Sequence, residues 1–100
     1  MMEPRFKIFR QQHDDKIHLE LTGDFTDMSL CDLIDELKHE CRHGRTVFVD
    51  TRNIKSVSIS GFGRDVFSRN LSELNNASSI MFTGSSASAI MPRETQKVSM

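Results

Sequence analysis

The sequence predicts a small α/β domain in which helices pack on a mixed β-sheet, with the element order β-β-α-β-α-β and a shortened C-terminus. The chain has 100 residues, which is the size of a single domain. Its apolar residues first alternate with polar ones, as in strands, and then recur at helical spacing. A hairpin that is followed by alternating helices and strands implies a mixed sheet with the helices packed on it.

Two strands joined by a hairpin begin the chain. Residues 6–12 alternate in the strand fashion, and the polar residues 13–16 form the turn. Residues 17–22 alternate again, and Gly23 and Asp24 are predicted to end this second strand. The hairpin therefore supplies the antiparallel part of the sheet.

The first helix is predicted from a change of period. Thr26, Asp27 or Ser29 can cap its start, and Gly44 stands where a left-handed residue ends a helix. The apolar residues that recur at i, i+3, i+4, i+7 and i+11, and that should face the core, are Leu30, Leu33, Ile34, Leu37 and Cys41.

The second half of the chain repeats the strand–helix alternation. Residues 47–49 form a short apolar run that ends in Asp50, which suits a strand buried on both faces. The sequence predicts a polar loop over 51–60, a second helix over 61–74 and a fourth strand over 79–84.

Composition excludes several classes of function. Thirteen Lys and Arg against fourteen Asp and Glu give a net charge of −1, which argues against a nucleic-acid partner. No stretch approaches the ~20 apolar residues of a membrane span. Cys31 and Cys41 should lie about 15 Å apart on one helix, beyond disulfide reach. With no export signal, these thiols indicate a reducing cytoplasm.

The residues suggest neither an enzyme nor a cofactor or metal site. Gly61-Phe62-Gly63 resembles half of a phosphate-binding loop, but a third glycine and a Lys-Ser/Thr pair are missing. One constellation remains, at the start of the second helix, where Ser58 and Ser60 precede Gly61. A helix N-terminus stabilises a phosphate on a nearby serine, but either serine can also simply cap the helix, and the cap is the favoured interpretation.

Four segments carry a resemblance to a known family. Residues 17–25 end in Leu-Thr-Gly-Asp-Phe, residues 47–50 end in Asp, and residues 54–61 and 80–82 follow at matching spacing. On these segments the chain resembles the STAS domain of anti-sigma-factor antagonists, a fold also found at the C-termini of sulfate transporters. The resemblance implies a STAS-like fold and a regulatory interaction with a protein.

The resemblance also predicts an altered switch. Ser58 falls on the family's Asp, Ile59 on the serine that partner kinases phosphorylate, Ser60 on the second serine and Gly61 on the glycine. Isoleucine cannot accept a phosphate, so Ser58 and Ser60 are the candidate phosphorylation sites. Adjacent residues of an extended segment point in opposite directions, however. We therefore expect a constitutive binder in which Ser60 caps the helix.

The chain ends earlier than the family pattern. Residues 85–91 are expected to be a stub of the family's third helix, and the fourth strand would need cover from the tail or from another chain. We expect a single domain over residues 1–91 and a flexible C-terminal tail over 92–100.

Two functions follow from these expectations. The first is a non-enzymatic interaction module whose partner is a protein, such as an anti-sigma factor or a serine kinase, with a homodimer as another option. The alternative is a small-anion- or nucleotide-binding domain that uses the helix N-terminus at Gly61. The residues predicted to contact the partner are Ser56, Ser58, Ile59, Ser60, Gly61, Arg64, Asp65, Ser68 and Arg69.

Overall fold

The computed structural model describes residues 6–74 and 79–90, and the predicted tail over 92–100 lies outside them. The elements follow the predicted order and end with a short third helix, which confirms the stub. Their bounds are β1 Lys7–His13, β2 Lys16–Thr26, α1 Asp27–Arg42, β3 Thr46–Ser58, α2 Gly61–Ser72, β4 Ile80–Thr83 and α3 Ala87–Ile90.

The strands form one four-stranded sheet in the order β1-β2-β3-β4. The β1–β2 hairpin is antiparallel, and the β2–β3 and β3–β4 pairs are parallel. Ile17 pairs with Val47, which in turn pairs with Ile80, and all three are buried. Residues 47–49 are thus an interior strand beside residues 17–22, as predicted for a mixed α/β sheet.

Both central strands are longer than predicted, which is the main correction. β2 does not end at Gly23 and Asp24 but continues to Thr26, and most of the predicted loop over 51–60 is strand as far as Ser58. The two polar segments pair with each other, from Thr22 opposite Asn53 to Thr26 opposite Ser58. Parallel pairing satisfies their backbone N–H and C=O groups, which hydropathy does not reveal.

The core lies between the sheet and helices α1 and α2. Every member of the predicted α1 stripe is buried, which confirms the helical period. In α2 only Phe67 and Leu71 are buried, whereas Phe62 in its first turn is 78% exposed. Helix α2 ends at Ser72, two residues earlier than predicted. The second helix therefore presents more of its surface to solvent than the first.

A buried carboxylate joins α1 to the sheet. The Glu40 side chain is fully buried and accepts hydrogen bonds from Arg10 Nε at 2.5 Å and from Arg45 Nη1 at 2.9 Å. Burial alone would raise the pKa of the Glu40 carboxyl, but the hydrogen bonds from Arg10 and Arg45 outweigh it and hold the pKa below its ordinary value. Glu40 is therefore charged and paired inside the fold.

Candidate functional site

The predicted contact residues Ser58, Ile59, Ser60 and Gly61 lie at one end of the sheet. Strands β2 and β3 run parallel, Thr26 pairs with Ser58, and each strand leads into a helix. The N-termini of α1 and α2 consequently lie side by side. This junction is the candidate site. It contains the predicted cap of α2, the two candidate phosphorylation sites and the first residues of the predicted partner surface.

A carboxylate of α1 binds the first residues of α2. The Ser60 backbone N–H donates to Asp27 Oδ1 at 2.9 Å, and the Ser60 hydroxyl donates to Asp27 Oδ2 at 2.7 Å. The Gly63 N–H donates to Ser60 Oγ at 2.8 Å, so Ser60 is the N-cap, as predicted. The hydrogen bonds from the Ser60 hydroxyl and backbone N–H hold the pKa of Asp27 below its ordinary value.

Gly63 allows this close approach. A Cβ at that position would clash with Oδ1 of Asp27 and lie 2.7 Å from its Cγ. A Cβ at Gly61, two residues earlier, would have no atom within 4 Å. The second glycine of the Gly-Phe-Gly sequence therefore makes room for a carboxylate of the same chain.

The serines and the isoleucine of the predicted partner surface alternate in exposure. Ser58 ends β3 and is exposed, Ile59 is half-buried against the core, and Ser60 is exposed again. These three residues therefore point alternately outward and inward, as expected of an extended segment. Ser56, predicted in a loop, lies instead in β3, where its hydroxyl donates to Asp24 Oδ1 at 3.0 Å.

The α2 candidates divide into two pairs, each spaced by one helical turn. Asp65 and Arg69 are exposed, whereas Arg64 and Ser68 are half-buried. Gly61, at the head of the helix, is exposed. The structure thus brings Ser58, Ser60, Asp65 and Arg69 to the surface and leaves only part of Arg64 and Ser68 accessible.

Sequence reasoning missed the partner of Ser60. The sequence indicates Asp27 only as a cap for its own helix, yet it lies 33 residues before Ser60 and binds it across the junction. A signal was available, because two parallel strands that each lead into a helix place the two helix starts together. The register that brings Asp27 to Ser60 could not be read without the extended pairing of β2 and β3.

A second polar cluster lies on the sheet face opposite the helices. Asp50 is buried, accepts from the Arg52 side chain at 2.9 Å and from the Arg52 backbone N–H at 3.0 Å, and lies 3.4 Å from His18 Nε2. The hydrogen bonds from the Arg52 side chain, opposed by burial, lower the pKa of Asp50 to about 2. Asp50 therefore remains ionised inside an ion pair.

The described residues give few other sites. Across 6–74 and 79–90, no three His, Cys, Asp or Glu side chains lie close enough together to hold a metal ion. No helix in the same two ranges is long and apolar enough to cross a membrane. The candidate site is thus a hydrogen-bonded helix junction with an exposed surface beside it.

Comparison with known proteins identifies the fold. No protein-family model matches the sequence, and no curated protein matches it. Among solved structures, it is similar to the crystal structure of an anti-sigma factor antagonist from Mycobacterium paratuberculosis, with a TM-score of 0.60 and 9% sequence identity over 84% of this chain and 72% of that chain. At this identity the likeness shows the fold alone. The chain has the STAS-like α/β fold that the resemblance implied.

Proposed function

We propose that this chain is a regulatory protein–protein interaction module that acts in the cytoplasm and resembles an anti-sigma-factor antagonist. The observation that carries the proposal is the fold shared with an anti-sigma factor antagonist. An exposed surface beside the α1–α2 junction supports it. We propose that the partner is a protein, namely an anti-sigma factor or a serine kinase, and that the module has no enzymatic activity.

We place the partner contact on residues 56–60 and the exposed side of α2. Arg69 and Asp65 are exposed one turn apart, and Arg64 lies beside them with part of its side chain accessible. Charged groups at the rim of an interface steer association and set specificity, and each contributes about 1 kcal/mol or less. The surface therefore suits recognition of a charged partner.

Partner capture from the cells that make the protein tests this surface. We expect the double variant Arg64→Glu, Arg69→Glu to weaken capture by roughly tenfold, which corresponds to about 1.4 kcal/mol. A matched control is Lys7→Glu, Lys16→Glu, which makes the same charge change at exposed positions of β1 and β2. Equal capture by both variants would place the interface elsewhere.

We further propose that binding is constitutive. Ile59 occupies the position of the family's phospho-acceptor, and the Ser60 hydroxyl is engaged as a cap and as a donor to Asp27. A phosphate on Ser60 would bring about −1.5 to −2 charges against the Asp27 carboxylate. Intact-mass analysis of protein from its native cell, with and without phosphatase, tests this. A stoichiometric phosphate on Ser58 or Ser60 would show that the switch is present in displaced form.

The alternative function is binding of a small anion or nucleotide at the Gly61 helix N-terminus. That function predicts thermal stabilisation by phosphate or a nucleotide. The Asp27 carboxylate already accepts from the Ser60 N–H, so an added anion would meet a negative charge at that position. This contact favours the interaction module, and a clear rise in melting temperature with either ligand would favour the alternative instead.

A further inference from the structure

Helices α1 and α2 are separated by a groove that runs along both of them. The two helices point the same way, because Asp27 meets Gly63 at one end and Arg42 lies near Glu73 at the other. The α1 positions that line the groove span residues 27–42. At 1.5 Å per residue this distance is about 22 Å, which matches a partner helix of about 15 residues.

The floor of the N-terminal half of this groove is apolar. Leu30 and Ile34 of α1 and Phe67 of α2 are buried beneath it, with Val66 half-buried beside them. Phe62 lines the same half and is 78% exposed. An aromatic ring held in water next to an apolar groove is typical of a binding surface, since covering it releases water from both.

The charges along the groove change sign from one end to the other. Asp27 and Asp35 line the N-terminal half. Arg42 lines the C-terminal half, Lys38 lines both halves where they meet, and Glu73 of α2 offsets one of these two positive charges. The groove therefore offers a negative end and a weakly positive end, with apolar surface between the acidic residues.

We propose that the α1–α2 groove binds an amphipathic helix of the protein partner, antiparallel to α1 and α2. Its apolar stripe would lie on Val66 and Phe62, its acidic N-terminal half beside Lys38 and Arg42, and its basic C-terminal half beside Asp35 and Asp27. Acidic residues at the N-terminus and basic residues at the C-terminus also stabilise a helix through its own dipole. The same charge pattern thus supports both the helix and its orientation in the groove.

This inference rests on the proposed interaction function and adds the chemistry of the partner. Selection of displayed helical peptides of about 15 residues against the full chain tests it. We expect the enriched peptides to carry acidic residues in the N-terminal half and basic residues in the C-terminal half, beside an apolar stripe. A peptide of the same composition with its charged ends exchanged should bind roughly tenfold more weakly.

Substitutions in the groove and the reactivity of the Cys31 thiol show where the selected peptides bind. Cys31 lines the groove and is exposed, so a bound peptide should slow its alkylation. Val66→Asp and Asp35→Lys should each weaken binding roughly tenfold. The matched control Asp32→Lys makes the same charge change on an exposed residue of α1 that does not line this groove, and it should leave binding within about twofold. Melting curves of each variant establish that it is folded.

Several results would overturn the inference. Peptides without the charge polarity, or binding unaffected by Val66→Asp, would do so. If Cys31 is already shielded in the free chain and Val98→Asp releases it, the C-terminal tail is the occupant of the groove. A dimer that Val66→Asp dissociates would place a second copy there.

Comparison with the Arg64→Glu, Arg69→Glu variant separates the two proposals. If Asp35→Lys retains the cellular partner while the arginine variant loses it, the groove inference fails and the proposed function stands. If both variants retain the partner, the contact surface of the proposed function fails as well. Loss of the partner by Asp35→Lys but not by the Asp32→Lys control supports the groove.

Discussion

Replacing Glu40 with Gln should destabilise the domain by about 2–3 kcal/mol. Breaking a buried ion pair by removing one partner costs roughly 3–5 kcal/mol when the remaining charge stays buried. Here the remaining charges belong to Arg10 and Arg45, whose side chains are 37% and 24% exposed and can recover part of their hydration. The amide also retains one oxygen that can accept a hydrogen bond. Both effects make the expected loss of unfolding free energy smaller than that for a pair whose remaining charge stays fully buried.

Thermal and urea unfolding measure this loss. For a domain of this size, about 2–3 kcal/mol lowers the melting temperature by roughly 10–20 °C. The pKa of Glu40 is lowered in the folded state, so its charge stabilises the fold above the ordinary pKa of 4.5, and this contribution is lost as the pH falls through the folded-state pKa. The difference between Glu40→Gln and the parent should therefore be full at pH 7 and shrink below about pH 4.5.

A matched control uses the same end of α1. Arg42 is exposed, so Arg42→Gln should change the free energy of unfolding by only about 0.5 kcal/mol or less. The reasoning would be refuted if Glu40→Gln were as stable as this control. A stability difference that stayed constant from neutral to strongly acidic pH would refute the assigned charge of Glu40.

Three further substitutions have expected outcomes that unfolding measurements can check. Replacing a helical glycine with alanine usually stabilises a protein by up to about 1 kcal/mol. Gly61→Ala should show this gain because its new Cβ meets no atom within 4 Å, whereas Gly63→Ala should not because its Cβ clashes with Asp27. Equal effects of the two substitutions on the free energy of unfolding would contradict this. The Asp50 carboxyl, with a pKa of about 2, is protonated between about pH 4 and pH 2, and the parent should lose about 2 kcal/mol of unfolding free energy over that range. Asp50→Asn should remove this loss. If the free energy of unfolding of the variant falls as steeply with acid as that of the parent, the ion pair is contradicted. Gly84→Ala should cost about 2 kcal/mol or more, because φ is +100° and the new Cβ would lie 2.8 Å from a backbone nitrogen; a neutral effect would show that the local backbone moves.

The sequence predicted those parts of the fold that depend on local pattern. The α1 stripe was readable because each of its apolar residues faces the core and the helical period repeats over about three turns. The β3 extension was not, because residues 51–58 are mostly polar and their stability depends on backbone pairing with β2. Only Ile54 and Val57, which pack half-buried against the core, hinted at the strand.

In the candidate site, too, local features were predictable from the sequence and long-range contacts were not. The Ser60 cap follows from the residue type and its position just before a helix, so the sequence sufficed. The Asp27–Ser60 contact joins residues that are 33 positions apart, and the Asp50–His18 contact joins residues that are 32 apart. Both depend on the register between β2 and β3, which two bulge-like shifts near Gly23 modify. Hydrophobic patterning carries no information about such a register.

The strands lie across the sheet in the order in which the ribosome makes them. Each new strand can add to the edge left by the previous one, and no strand has to insert between two that have already paired. Folding during synthesis can therefore proceed from the N-terminus without rearrangement. β4 pairs with only Val47–Asp50 of the long third strand, so part of that edge stays open in the described chain. Arg52 and Lys55 are exposed along this edge, and such charges oppose aggregation of nascent chains through pairing of their open strand edges.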